Sequence, residues 1–372
     1  MQCSKANITA FYKKGKNFYY KNIVLLSSNM LHVNYFLIFE AIGFISFILL
    51  ALREIYHKNF HRLFELASCA VFGVILEIGN TYLAHTYSYS ENFLVQLAHV
   101  PITIGLGWAV IIYCAMLLSD QYNIPWTLRP FMDALTAITL DLAMDAVAIR
   151  LGFWTWAIPL DGEWYGVPYE NLVGWIFVVL SFSFLIRFIR TLNPRRVMTK
   201  VLMIFSPIIS YVGLTIGLFI FILITVLPYG INSNWSNLLQ FNYTPNFNIL
   251  FNPQVQSWKS VFLVVIIVEL INIVVWSIIY YRKKWLKYFD LLSFSALTSI
   301  HLFFTIAIFT TGLYKELPIL VWLCITSLIV HLLLHFLPYL INRKTVYFLG
   351  KAKEEAEVQL EKIEKVIDAS LK

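Results

Sequence analysis

LRPFMDALTAITLDLAMDAVAIRLG, residues 128–152, reads as a membrane-spanning helix apart from three carboxylates, Asp133, Asp141 and Asp145. At about 100° per residue these fall near 0°, 80° and 120°, on one stripe of the helix. An ionised Asp at the centre of a bilayer costs roughly 2.5–3.5 kcal/mol on insertion scales. Three on one stripe predict a polar surface turned toward a protein interior, and an intramembrane acid marks a candidate functional site.

The rest of the chain repeats the apolar part of this pattern. Of 372 residues 59% are hydrophobic, 17% aromatic and only 13% charged, against about 25% charged in ordinary soluble domains. Apolar runs near the length of a bilayer crossing recur at 31–52, 63–84, 94–118, 129–151, 171–192, 201–227, 260–281, 289–312 and 319–341. The expected fold is therefore all-α, a polytopic transmembrane helical bundle of nine spans within a range of eight to ten. The pattern divides into an N-terminal tail (1–30), a membrane domain dense in polar and aromatic punctuation (31–195), a plainer transmembrane region (196–343) and a C-terminal segment (344–372). In that last segment Ala356, Leu360, Ile363, Ile367 and Leu371 make the apolar stripe of an amphipathic helix.

The net charge of +7 is unevenly placed. Connections 53–62, 187–200 and 282–287 hold most of the basic residues, whereas 85–93 and 228–258 contain no Lys or Arg. With nine spans the basic connections and the C-terminus share one side, which the positive-inside rule makes cytoplasmic. The basic residues thus signal orientation in a cell membrane rather than a nucleic-acid surface. Lys5, Lys13, Lys14, Lys16 and Lys21 contradict this topology. Either the tail adds a further feature or translation starts at Met30, and the second reading is preferred. The four cysteines (Cys3, Cys69, Cys114, Cys324) show no CxxC spacing and read as apolar thiols.

Three patches carry polar chemistry. In residues 141–175, DLAMDAVAIRLGFWTWAIPLDGEWYGVPYENLVGW, the acidic helix runs into Trp154, Trp156, Trp164, Tyr165 and Trp175. An interfacial aromatic belt would explain some of them, but five large aromatics in 22 residues beside buried acids favour a site, since aromatic faces stabilise cations. Residues 76–93 place Glu77 at the end of a span with His85, Tyr87 and Tyr89 after it, and in residues 99–113 Pro101, Gly105 and Gly107 permit a kink or a close helix approach.

The order Glu77-x-Gly79, Tyr89, Pro101, Trp108, Tyr113, Asp141-Leu-Ala-Met-Asp145, Trp154-Thr-Trp156, Tyr165-Gly166-Val167-Pro168, Asn171 and Gly174-Trp175 resembles the integral-membrane carotenoid biosynthesis family that includes the carotenoid 1′,2′-hydratases. The resemblance covers roughly residues 35–195, and the W-x-W … YGVP-x-x-N-x-x-GW run is its most distinctive part. It implies an enzyme that adds water across the terminal C1′=C2′ alkene of an acyclic carotenoid, embedded in the lipid bilayer and associated with other carotenoid enzymes. Such a reaction needs a proton donor, tolerance of a tertiary carbocation and a positioned water, and neither a metal nor a redox cofactor. Asp141, Asp145 and Glu77 are the candidate catalytic acids and bases. Trp154, Trp156, Tyr165, Trp175, Asn171, Tyr89 and Trp108 are the candidate substrate-binding residues.

Other readings have footholds. Asp141-x3-Asp145 superficially matches a diphosphate-binding motif of membrane prenyltransferases, but no second Asp-rich motif accompanies it. His57-x3-His61 and His331-x3-His335 have the spacing of histidine boxes without a third box. The non-enzymatic alternative is a proton-coupled transporter or a membrane scaffold, which acids on one stripe would also suit.

Overall fold

The structure, a computed structural model, describes residues 34–83, 86–156, 158–232, 253–282 and 289–338. The N-terminal tail with its Met30 start, His85, most of connection 228–258 and the C-terminal amphipathic helix lie outside these residues. Nine long helices run through the described residues: α1 (Tyr35–Tyr56), α2 (Phe60–Ile78), α3 (Ile102–Gln121), α4 (Arg129–Ala148), α5 (Tyr169–Thr191), α6 (Val197–Asn232), α7 (Pro253–Tyr280) and α8 (Leu291–Thr310), then a single turn α9 (Leu313–Glu316) and α10 (Pro318–Pro338). Eight of them are long and apolar enough to cross a membrane. The ninth is α4, whose three aspartates lower its hydropathy. The chain is a polytopic helical bundle and an integral membrane protein.

Helix ends follow local chemistry. Asn34 accepts the Leu37 N–H at the start of α1, and Asp290 accepts the Ser293 N–H at the start of α8, each satisfying an otherwise orphan donor. The expected span 94–118 begins later than its apolar run, because Pro101 cannot occupy a helix interior and sits instead as the N-cap of α3. The residues before it pair as two short strands, β2 (Gln96–Leu97) and β3 (Val100–Pro101), around Ala98 and His99 at positive φ.

Helix α3 is the axis of the bundle, packed against α1, α2, α4 and α8. It meets α2 at a glycine crossing. A Cβ on Gly73 would lie 2.7 Å from the Gly105 carbonyl, and one on Gly105 would lie 2.5 Å from Val74 Cγ2. Only hydrogen at both positions permits this approach. Helices α6 and α7 cover α5, while α8 closes the side between α1, α3 and α4.

One end of the bundle is held by a buried charge network. Asp120, at the end of α3, receives Arg62 of α2 (2.9 Å), Arg129 of α4 (2.7 Å), and Arg187 (2.5 Å) and Arg190 (3.4 Å) of α5. Arg187 also reaches Asp133 at 2.9 Å, and Ser119 and Ser183 donate to the same carboxylate. Arg190 pairs with Glu65, and Arg53 joins α1 to Asp290 of α8 at 2.6 Å. Asp133, part of the sequence's acidic stripe, is therefore fully committed to holding helices together.

Breaking a buried pair from one side leaves an uncompensated charge, at a cost of about 3–5 kcal/mol. Arg187→Met should accordingly lower the thermal midpoint of the detergent-solubilised protein sharply. Arg195→Met, on an exposed connection, should leave it unchanged.

Candidate active site

The opposite end of the bundle carries the other two aspartates. Asp133 and Asp145 are twelve residues apart, about 18 Å along the α4 axis, so one stripe serves two different surroundings. There a partly open cavity is lined by α1, α2, α3, α4, α5, α8 and two connections. Eight of the ten candidate residues line it: Glu77, Tyr89, Trp108, Asp145, Trp154, Trp156, Asn171 and Trp175. No Lys or Arg is among its lining residues.

Glu77 reaches the cavity at the end of α2, directly before a wider π turn, Gly79–Leu83, a local form common at functional sites. Its carboxylate takes three donors. Trp108 Nε1 donates to Oε1 at 2.6 Å, while the Tyr89 hydroxyl (2.6 Å) and the Tyr87 hydroxyl donate to Oε2. The glycine crossing makes the first bond possible, since Glu77 lies one turn beyond Gly73 and Trp108 three residues beyond Gly105. Burial first, then the Glu77 charge, push both phenols well above the ordinary tyrosine value. They remain protonated donors.

The two tyrosines and two of the tryptophans are brought together by a pairing that sequence reading missed. Strand β1 (Tyr87–Tyr89) runs antiparallel to β4 (Trp154–Trp156), with Tyr87 opposite Trp156 and Tyr89 opposite Trp154. Alternation turns all four rings to one face and Ser88 and Thr155 to the other. Tyr87 and Trp156 lie with centroids 4.5 Å apart, and Tyr89 meets Trp154 edge-on at 6.0 Å. Trp108 packs on Trp175 at 4.2 Å. The W-x-W and Y-x-Y spacings were the available signal, because period two is the repeat of a strand.

On the facing wall, Asn171 in the first turn of α5 donates its side-chain amide to Asp145 Oδ2. Asp141 is fully buried one turn earlier in α4, close enough to Asp145 for the two carboxyls to interact. Neither of its oxygens makes a well-formed hydrogen bond among the described residues, and it stands behind the cavity wall rather than in it. Asp145 is also within electrostatic reach of Glu77.

Tyr165 does not line the cavity. Its carbonyl, with those of Ala146 and Leu160, accepts from the Arg150 guanidinium at 2.7–3.1 Å, and its ring packs edge-on against Trp164. Trp164 in turn donates to the Leu142 carbonyl at 2.8 Å. Gly166 has φ +88°, and a Cβ there would lie 2.9 Å from Leu160 Cα. The Tyr165–Pro168 motif therefore shapes the connection that carries Trp154 and Trp156 and delivers Asn171, instead of touching what the cavity holds. A buried lysine of α7, Lys259, braces the same connection by pairing with Glu163 (3.9 Å) and with Glu170. Burial, then the nearby Glu170, push the Glu163 carboxyl up from the ordinary range.

The remaining histidines lie elsewhere. His57 and His61 are exposed, while His301, His331 and His335 cluster between α8 and α10 beside Phe294. Among the described residues no group of three or more His, Cys, Asp or Glu has an arrangement that could hold a metal ion.

Comparison with known proteins adds two findings. A family model described as carotenoid biosynthesis protein matches residues 35–233, just over half of the chain and extending through α6. The chain is also similar to a bisanhydrobacterioruberin hydratase of Haloarcula japonica, 36% identical over 62 residues, which is 16% of this chain and 20% of that protein. The aligned part thus spans a fifth of that relative's length. No solved structure matches.

Arg150 holds three carbonyls with a planar fork that a lysine ammonium does not reproduce. Leaving buried acceptors of this kind unsatisfied costs about 1–3 kcal/mol. Arg150→Ala, and equally Arg150→Lys, should lower the thermal midpoint and expose the connection at 158–166 to limited proteolysis.

Proposed function

The chain belongs to the carotenoid biosynthesis protein family, and we propose that it adds water across the terminal C1′=C2′ double bond of an acyclic carotenoid. The observation that carries this reading is the pairing of two differently solvated carboxyls, Glu77 and Asp145, across one aromatic cavity without a cationic side chain in its lining. The similarity to a protein named as a hydratase points the same way.

Each chemical requirement has a candidate group. Two buried carboxyls one helical turn apart cannot both ionise cheaply, so the pair retains a proton, and Asp145 presents it to the cavity. Transfer to C2′ breaks the π bond and leaves a tertiary cation at C1′. The faces of Trp108, Trp154, Trp156 and Trp175 surround that cation in a water-poor space, where a cation–π contact contributes up to about 2 kcal/mol. Water forms the new C–O bond at C1′ and gives up one proton to Glu77, keeping the other as the alcohol O–H; the three neutral donors on Glu77 suit its anionic form. A proton then returns from Glu77 to Asp145 across the cavity, restoring both groups. The product is a tertiary alcohol, one water heavier than the alkene.

A diphosphate-handling prenyltransferase fits less well, because Asp141 does not face the cavity and no Lys or Arg lines it. The positive-inside rule, applied to the basic connections, supports a cytoplasmic side for the charge network and the C-terminus in a cell membrane, with the cavity toward the opposite face.

Expression in a host that accumulates lycopene tests the reaction by chromatography and mass. A more polar pigment heavier by one water is expected, and an unchanged pigment profile overturns the reaction. General acid–base groups contribute about 10²–10⁴-fold, so Asp145→Asn and Glu77→Gln should each reduce product formation by at least about a hundredfold. Wild-type product levels from both variants would remove the catalytic assignment even if the wild-type protein hydrates.

A further inference from the structure

Ile104, Gly107, Trp108 and Ile111 recur at intervals of three and four residues, so they occupy one face of α3, and all four line the cavity. Seven residues of helix rise about 10 Å. The cavity is thus elongated along α3 rather than a dimple around the carboxyls. Facing this wall stand Phe39, Ile42 and Gly43 of α1 and Ile300 of α8, all apolar.

Gly107 differs from the glycines around it. A Cβ on Gly43 would lie 2.6 Å from Thr103 Oγ1, and Gly73 and Gly105 are equally crowded by their neighbours. Those positions exist for helix contact. A Cβ on Gly107 would meet no atom within 4 Å, and the residue is only half buried although it sits in the most enclosed helix of the bundle. Nor does a positive φ require glycine there, since the position is helical. Glycine in a helix interior costs about 0.8–1.0 kcal/mol relative to alanine. Packing and backbone conformation give no return for that cost; the empty volume does.

We infer that Gly107 holds open a passage between α1, α3 and α8 for the long linear isoprenoid chain that trails behind the reacting double bond. The inference rests on the carotenoid reading of the site. A polyene is stiff and narrow, and it needs a straight apolar slot continuous with the reaction centre. The α3 face offers one, with Trp108 at the carboxyl and Gly107 and Ile111 alongside. Ile300 makes α8 a wall of this slot, so a helix beyond residue 233, where the family match ends, completes the substrate site. This gives part of the plain transmembrane region a direct role in substrate selection.

The test is lycopene binding to the purified full-length protein in detergent micelles. Binding is read from quenching of tryptophan fluorescence, because four indoles line the cavity and a bound polyene absorbs their emission. Filling the passage overpacks it against the polyene, and a loss of about fivefold to a hundredfold in affinity is expected. Gly107→Phe is expected to show that loss and Gly107→Ala a smaller one, and Gly107→Ala should keep or raise the thermal midpoint because its Cβ enters open space and the glycine penalty is removed. Ile300→Phe narrows the slot from the other wall and should act like Gly107→Phe, which keeps the test decisive should one variant fold poorly. Wild-type affinity in well-folded Gly107→Phe and Ile300→Phe overturns the passage. Loss of binding in both, with no hydrated product even from the wild-type protein, upholds the passage and sinks the hydration reading. Absence of quenching in the wild-type protein overturns both.

Discussion

A carboxylate inside an apolar bundle must be matched by a cation or by hydrogen-bond donors, because neither lipid nor a hydrocarbon core can solvate it. Helices α2 to α5 are arranged around that requirement, and the two ends meet it in opposite ways. At one end Asp120, Asp133 and Glu65 are saturated by arginines, which fixes the relative positions of four helices and leaves nothing free to react. At the other end Glu77 is held by neutral donors only, and Asp145 by an amide. A carboxyl without a bound cation keeps its capacity to exchange a proton. The difference in compensation separates the scaffold from the site within a single helix, α4.

The site also depends on a close approach that only small residues allow. Gly73 and Gly105 let α2 and α3 touch, which brings the Trp108 indole onto Glu77. The pairing of Tyr87–Tyr89 with Trp154–Trp156 then roofs the cavity with four rings. The connection that follows Trp156 is held by Arg150 through the Tyr165 carbonyl and by Lys259 through Glu163 and Glu170. Connections at a membrane surface are usually free to vary. This one is tied at both ends to buried charge, which keeps the rings in a fixed relation to the carboxyls.

The helical architecture was legible because its signal is local: apolar runs of bilayer length separated by short polar connections. The acidic stripe and the W-x-W and YGVP motifs likewise marked the neighbourhood of the cavity. Tyr165 was misplaced because its motif carries a conformational demand, the positive φ at Gly166, that resembles a binding motif in one dimension. Asp141 and Asp145 looked equivalent at four-residue spacing, yet a rotation of about 40° around α4 puts one at the cavity and the other behind it. Thr103, Gly107 and Ile300 were not singled out as site residues. Nothing about an apolar or small residue in an apolar helix shows which neighbour it will face.

Sequence alone determined that this chain spans a membrane as a helical bundle, that its acids lie on one buried stripe, and that aromatic connections follow them. Those properties arise from composition and from periodicities within single segments. Tertiary structure decided which acid is neutralised by arginine and which faces a cavity, which strands pair, and where glycine means contact and where it means space. Each of these depends on atoms contributed by segments tens to hundreds of residues apart, and such proximity exists only once the helices have packed.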